Sequence, residues 1–161
     1  MTSKVLKRID LSKIVAERRA KGEKAVFTNG CFDLLHIGHI RYLQEARNQG
    51  DFLIVAINSD ASVREIKGLM RPLVSEEERA EVLAALECVD YVTVFGEPDP
   101  HALIREIIPH VLVKGGDWPV EKVVGRDVVE GHGGRVMTIP IVSGASTSRI
   151  IERIVERYTK K

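Results

Sequence analysis

A chain of 161 residues with 44% apolar and 29% charged side chains has the size of one domain around one core. Its 24 basic and 23 acidic residues leave a net charge of +1, so no field of one sign draws it to nucleic acid or to a membrane. Cys31 and Cys88 stand in unlike contexts and make no disulfide framework, and no segment reaches the ~18–20 apolar residues of a membrane span.

The N-terminus, "MTSKVLKRIDLSK", lacks the apolar stretch of a secretion signal, so the expected location is cytoplasmic, with no nucleic acid and no membrane as partner. Residues 1–24 carry a mild excess of Lys and Arg interrupted by Asp10, Glu17 and Glu23, which reads as the solvated face of a short amphipathic helix. This N-terminal helical extension precedes a core at 25–158. "AVFTN" (25–29) reads as a buried strand, and "HIRYLQEARNQG" as a helix with Ile40, Leu43 and Ala46 inward, ended by Gly50. "FLIVAIN" (52–58) is a continuous apolar run, as in a central parallel strand covered on both faces.

"REIKGLMRPLVSEEER" then reads as a loop marked by Gly and Pro, with Lys67, Arg71 and Arg79 as its basic side chains. "SEEERAEVLAAL" (75–86) opens with Ser75 and has Glu78 three residues on, a capping-box arrangement. "YVTVF" (91–95) is a third strand, and "DPHALIREII" (99–108) a helix with Asp99 at its cap. "HVLVKGG" (110–116) and "RVMTIP" (135–140) supply two more strands. The last helix, about 148–158, carries Ile150, Ile151, Ile154, Val155 and Tyr158 on one stripe. Strands alternating with helices predict an α/β fold: a Rossmann-like, doubly wound five-stranded parallel sheet with helices on both faces. Ligands of such sheets sit beyond the carboxyl ends of the strands, at a topological switch point.

Three stretches fall at those ends. "NGCFDLLHIGH" follows the first strand and opens a helix, where free N–H groups favour an anion. His36 and His39 are three apart, which brings their Cβ atoms to ~5–6 Å on one helical face. Gly38 between them is expected to let a ligand approach the backbone, and the two imidazoles suit a polyphosphate, as donors or as cations. A zinc site on Cys31, His36 and His39 lacks its further ligands at any usual spacing and has no C-x-x-C, a Cys31 nucleophile beside His36 has the simpler reading of a small turn residue, and the dinucleotide fingerprint is absent. Asp33 either caps the helix or approaches the reacting oxygens through a metal. Ser146, Thr147 and Ser148 cluster where the last helix begins, an N-cap with hydroxyls to spare for a second anion. "KGGDW" offers Lys114 for a phosphate and Asp117 for a sugar hydroxyl or amine, with Trp118 beside them.

At these residues the chain resembles the cytidylyltransferase-like nucleotidyltransferase superfamily. The segments "TNGCFDLLHIGHIRYL", "KGLMRPLVSEEERAEVLAAL", "VLVKGGDW", "VVGRDVVEGHGGRV" and "GASTSRIIERI" are most similar to the adenylyltransferases of bacterial ADP-heptose synthesis, over about residues 24 to 156. The resemblance implies one nucleotidyltransferase domain over 1–161. It would join ATP to D-glycero-β-D-manno-heptose 1-phosphate, releasing pyrophosphate and making ADP-heptose for the lipopolysaccharide core. His36, His39 and Lys67 would then meet ATP phosphates. Asn29, Gly30, Cys31, Phe32, Gly38 and Ser146 to Ser148 would form the nucleotide site, and Asp33, Arg71, Lys114, Asp117 and Trp118 would face the substrate. Mg²⁺ would accompany ATP without direct protein ligands. Also implied are a homodimer and, because such enzymes are often fused to a sugar kinase, a separate heptose kinase as partner.

The alternatives are glycerol-3-phosphate cytidylyltransferase with CTP, a nucleotide-binding module without catalysis, and another α/β enzyme such as a redox protein. The cytidylyltransferases read G-T-F-D where this chain has "GCFD", and R-T-E-G-I-S-T-T where it has "IVSGASTS". Their arginine falls on Ile141 here, so its charge is absent or supplied elsewhere.

Overall fold

Five strands form one parallel sheet in the computed structural model, which describes residues 4–116 and 118–159. They are β1 (Ala25–Gly30), β2 (Phe52–Asn58), β3 (Tyr91–Phe95), β4 (Val111–Gly115) and β5 (Arg135–Ile139), in the spatial order β3-β2-β1-β4-β5. The helices are α1 (Arg8–Ala20), α2 (Ile37–Arg47), α3 (Asp60–Lys67), α4 (Glu76–Ala84), α5 (His101–Ile107), α6 (Arg126–Gly131) and α7 (Thr147–Thr159), with a 3₁₀ turn at Val120–Lys122.

Period-two alternation divides the core. Leu53, Val55 and Ile57 of β2 face α2 and α4, where Tyr42, Leu43, Ala46 and Leu83 meet them. Phe52, Ile54 and Ala56 face the other way, onto Leu11 and Val15 of α1 and Leu103, Ile104 and Ile107 of α5. Helices therefore cover both faces, and β2 is buried along its whole length. β1 pairs with β2 on one side and with β4 on the other, so the chain departs from the sheet centre in both directions. The crevice beyond the ends of β1 and β4 is the switch point.

The expected bounds hold for β2 and β3, and the Ser75–Glu78 capping box is present at α4. Other expectations change. Tyr42 rather than Ile40 fills the core from α2, which ends at Arg47, short of Gly50. Residues 60–67 form α3, so 64–67 belong to a helix and not to the expected loop, and Ser59 caps it by accepting from Ser62 N–H.

The N-terminal cations are also more than a solvated face. The Arg18 guanidinium lies 4.0 Å over the Phe52 ring, Lys4 Nζ donates to Leu86 O and Val89 O, and Arg8 pairs with Glu97 and Glu106. Val5 bridges Val92 of β3. Long basic stems thus lie along apolar surface and close backbone ends. The stripe on α7 exists, but no residue of that helix is buried: Ile154 and Val155 remain about half exposed and Tyr158 more so.

Candidate active site

A cavity of about 370 Å³ opens at the carboxyl ends of β1 and β4, beneath the starts of α2 and α7. It brings together Asn29 to Asp33, His36, Gly38, His39, Lys67, Arg71, Lys114 and Ser146 to Ser148, residues up to 119 positions apart in sequence (29 to 148). Trp118 lines a smaller cavity next to it, which shares Asn29 and Lys114. Asp117 lies outside the described residues.

His36 is the N-cap of α2, its Nδ1 accepting from Gly38 N–H at 3.1 Å. That bond leaves Nε2 to carry the proton of the neutral ring, which makes His36 a donor there. The His39 ring stacks on it with centroids 3.9 Å apart, and His39 Nδ1 is buried without a hydrogen-bond partner among the described residues. Burial, and then the neighbouring His36, push the His39 pKa down to about 4; burial also lowers that of His36. Near pH 7 both rings are therefore neutral in the free protein, and of the two expected roles, donor and cation, the first is the resting one. Gly38 lines the cavity and has a second duty. A Cβ there would stand 2.9 Å from the His36 ring and 3.2 Å from Ala145, so the missing side chain also makes room for the fold-back of His36.

Asp33 is almost wholly buried. It accepts from Leu73 and Val74 N–H and from Arg71 Nε, so both oxygens are bonded within the chain. Burial alone would raise its pKa; the two N–H groups and Arg71 outweigh that and hold the carboxyl below its usual range. The carboxylate thus pins the loop at 71–74 rather than capping α2. Arg71 also lines the cavity, and its Nη groups make no hydrogen bond among the described residues.

The three hydroxyls of α7 have separate duties. Ser146 Oγ accepts from Arg149 N–H as a cap, and Thr147 Oγ1 donates to Leu34 O at 2.9 Å, tying the two helix starts together. Ser148 lines the cavity and makes no side-chain hydrogen bond among the described residues. Lys114 stands half-buried at the end of β4 and forms no ion pair among the described residues; burial first, then Lys67, lowers its pKa, with Cys31 opposing. Cys31 Sγ lies 3.8 Å from Asn58 Oδ1.

Two contributors were not foreseen. Arg79, read above as a loop cation, is fully buried: Nη1 donates to Cys31 O (2.6 Å), Nη2 to Asn58 O (2.9 Å) and Asp60 Oδ1 (2.7 Å), and Nε to Val74 O (3.0 Å). One guanidinium thus fixes the turn after β1, the end of β2, the start of α3 and the approach to α4. Tyr42 also lines the cavity, bonded to Thr28 and, at 3.2 Å, to Val113 O. Its place three residues after His39 was a usable signal. Ile141, where the cytidylyltransferases have arginine, lines the cavity as an exposed apolar side chain.

The cytidylyltransferase-like family model matches residues 27–153. "Bifunctional protein HldE" of Trichlorobacter lovleyi is 58% identical over 98% of the chain, and that of Geobacter sulfurreducens 56% over 92%. The matches cover 32% and 30% of those proteins, so the chain spans about a third of their length. Among solved structures, a lipopolysaccharide core biosynthesis protein from Thermoplasma volcanium aligns at TM-score 0.62 and 28% identity, over 75% of this chain and 98% of its own. A pantoate-β-alanine ligase from Francisella tularensis, at 15% identity and TM-score 0.60 over 98% of this chain and 79% of its own, shares the fold.

Proposed function

The chain belongs to the cytidylyltransferase-like family, and from that premise we propose that it transfers the adenylyl group of ATP to D-glycero-β-D-manno-heptose 1-phosphate, giving ADP-heptose and pyrophosphate for the lipopolysaccharide core. The observation that carries this reading is the cavity itself. Two stacked neutral imidazoles, the charges of Lys67, Arg71 and Lys114 and the start of α7 converge on one volume, and the one carboxylate lining it among the described residues is bonded within the chain. Such a lining suits a polyanion.

The sugar phosphate is already an anion at neutral pH, so its attack needs no general base. One of its oxygens bonds to the α-phosphorus while the bond from that phosphorus to the bridging oxygen breaks, and pyrophosphate leaves with the electron pair. Repulsion between two anions must be relieved and charge on the leaving group stabilised, which positioned donors and cations do. His36 offers its Nε2 proton, and His39 lies stacked against it. Lys114, at the end of β4, stands between the main cavity and the smaller one lined by Trp118, which we assign to the sugar. Arg71 and Lys67 line the same cavity.

Among the described residues no group of three or more His, Cys, Asp or Glu could hold a metal ion. The donor set fits Mg²⁺ carried in on triphosphate oxygens, where it would neutralise phosphate charge. We place the reaction in the cytoplasm; among the described residues no helix is long and apolar enough to cross a membrane. A homodimer and a separate heptose kinase complete the reading as proposals, and the relatives, named as bifunctional chains, give neither any support.

Pyrophosphate release measured for ATP and CTP, each with heptose 1-phosphate and with glycerol 3-phosphate, tests the proposal. Release only with ATP and the heptose is expected. Turnover with CTP and glycerol 3-phosphate would replace the substrate assignment, and none with any pair would leave a binding module.

A further inference from the structure

We propose that the opposite edge of the sheet holds a second small-molecule site, for a phosphate-bearing anion. A cavity of about 460 Å³ lies at the amino ends of β1, β4 and β5, across the sheet from the site described above, and its size is that of small-ligand pockets. Arg19, Lys24 and Arg135 line it, together with His110, His132 and an apolar wall that includes Ile108.

The three cations have no ion-pair partner among the described residues. Arg19 donates from Nη2 to Ile107 O and Ile108 O, and Arg135 from Nη2 to Gln49 Oε1 at 3.0 Å, so their other N–H groups remain. Lys24 makes its one side-chain contact through its backbone N–H, to Asp51 Oδ2, and its ammonium bonds to nothing in the described fold. That carboxylate is the acidic group beside the cluster and offsets one of three positive charges.

His110 adds a directed donor. Its Nδ1 accepts from Ala25 N–H at 3.0 Å, which leaves the proton of the neutral ring on Nε2, an atom with no partner among the described residues. Burial first, then Arg19 and Lys24, keep this ring from protonating, while Asp51 opposes them. His132 is oriented too, its Nδ1 donating to Val128 O at 2.7 Å. A concave site with surplus positive charge, a fixed N–H and an apolar wall is complementary to a compact oxyanion carrying an organic body or none. A polymer is disfavoured, since the chain as a whole has a net charge of only +1.

The histidine ring signals can be followed by nitrogen-resolved NMR during titration with inorganic phosphate, pyrophosphate and a hexose 1-phosphate, against sodium chloride at matched ionic strength. Saturable movement of the His110 signals with at least one phosphate compound, and not with chloride, is expected; the tightest of the three identifies the source. Lys24→Gln and Arg135→Gln should each weaken that binding about tenfold, the loss expected of one charge-assisted hydrogen bond. Pyrophosphate release should stay at the wild-type rate in both. Lys24→Gln removes an ammonium with no hydrogen bond or ion pair among the described residues, so it carries the test if Arg135→Gln fails to fold. No saturable shift, an equal response to chloride, or unchanged affinity in the folded variants overturns the proposal.

Discussion

Arg79 and Lys114 are both cations drawn toward the interior, and the chain treats them in opposite ways. Arg79 is fully enclosed, and its donors are matched to three carbonyls and a carboxylate. Lys114 is half-buried and holds no ion pair among the described residues. A buried charge that is fully bonded is scaffold, because removing it strands its partners; a buried charge left unmatched costs stability and is kept for something outside the chain. The same contrast separates Asp33, bonded at both oxygens, from His39, whose buried Nδ1 has no partner among the described residues.

The largest effect should come from the scaffold side. Arg79→Ala is expected to cost about 3–5 kcal/mol by urea unfolding, since it leaves Asp60 and three carbonyls unbonded. A loss below 1 kcal/mol, on the order of an exposed ion pair, would erase the distinction.

On the other side, His39→Ala should lower kcat by roughly 10²-fold or more with a much smaller change in KM for ATP, as for a group used mainly in the transition state. Wild-type kcat would remove it from the reaction. The same residue gives a pH signature. Its folded pKa of about 4 lies below the 6.5 of an ordinary histidine, so between these values the unfolded chain binds more protons. The stability that His39 contributes is complete above pH 6.5 and is lost as pH falls toward 4. His39→Asn should flatten that slope in denaturant titrations taken across the window; an unchanged slope would place the effect elsewhere.

Lys114→Met should leave stability equal or slightly higher, while raising KM for one substrate about tenfold, the scale of one lost charge-assisted contact. If it destabilises the fold instead, Lys114 belongs with Arg79. Least of all, Ser75→Ala should cost about 1 kcal/mol through the capping box and leave turnover alone, a control for cost without function.

What could be read beforehand follows the same division. Strands buried on both faces announce themselves by unbroken apolar runs, and β2 and β3 have the expected bounds. The capping box at Ser75 and Glu78 is local in sequence, hence legible. Residues 29–33, 36, 38, 39, 114 and 146–148 follow strand ends or open helices, 67 and 71 are cations in the segment after β2, and the fold brings all of them around one cavity.

Long-range polar matching left no such trace. Arg79 meets Cys31 O across 48 positions and Asn58 O across 21, and nothing in "SEEERA" distinguishes a buried guanidinium from a solvated one. Asp33 finds Leu73 and Val74 forty positions away. α3 is not legible in the sequence because its eight residues bury only Ser62 and Val63, too little for a helical period to register. The charge state of the histidines depends on burial, which spacing does not encode.

The last helix carries a consequence of its own. With no buried residue and its start linked to the turn after β1 by the Thr147–Leu34 bond, α7 gains little from the interior that would hold it closed. Its amides should be among the first in the molecule to exchange with deuterium, by opening of the segment alone. A nucleotide resting on that start would slow their exchange. Occupancy of the cavity would then be readable along a helix whose far end, near Tyr158, touches no ligand at all.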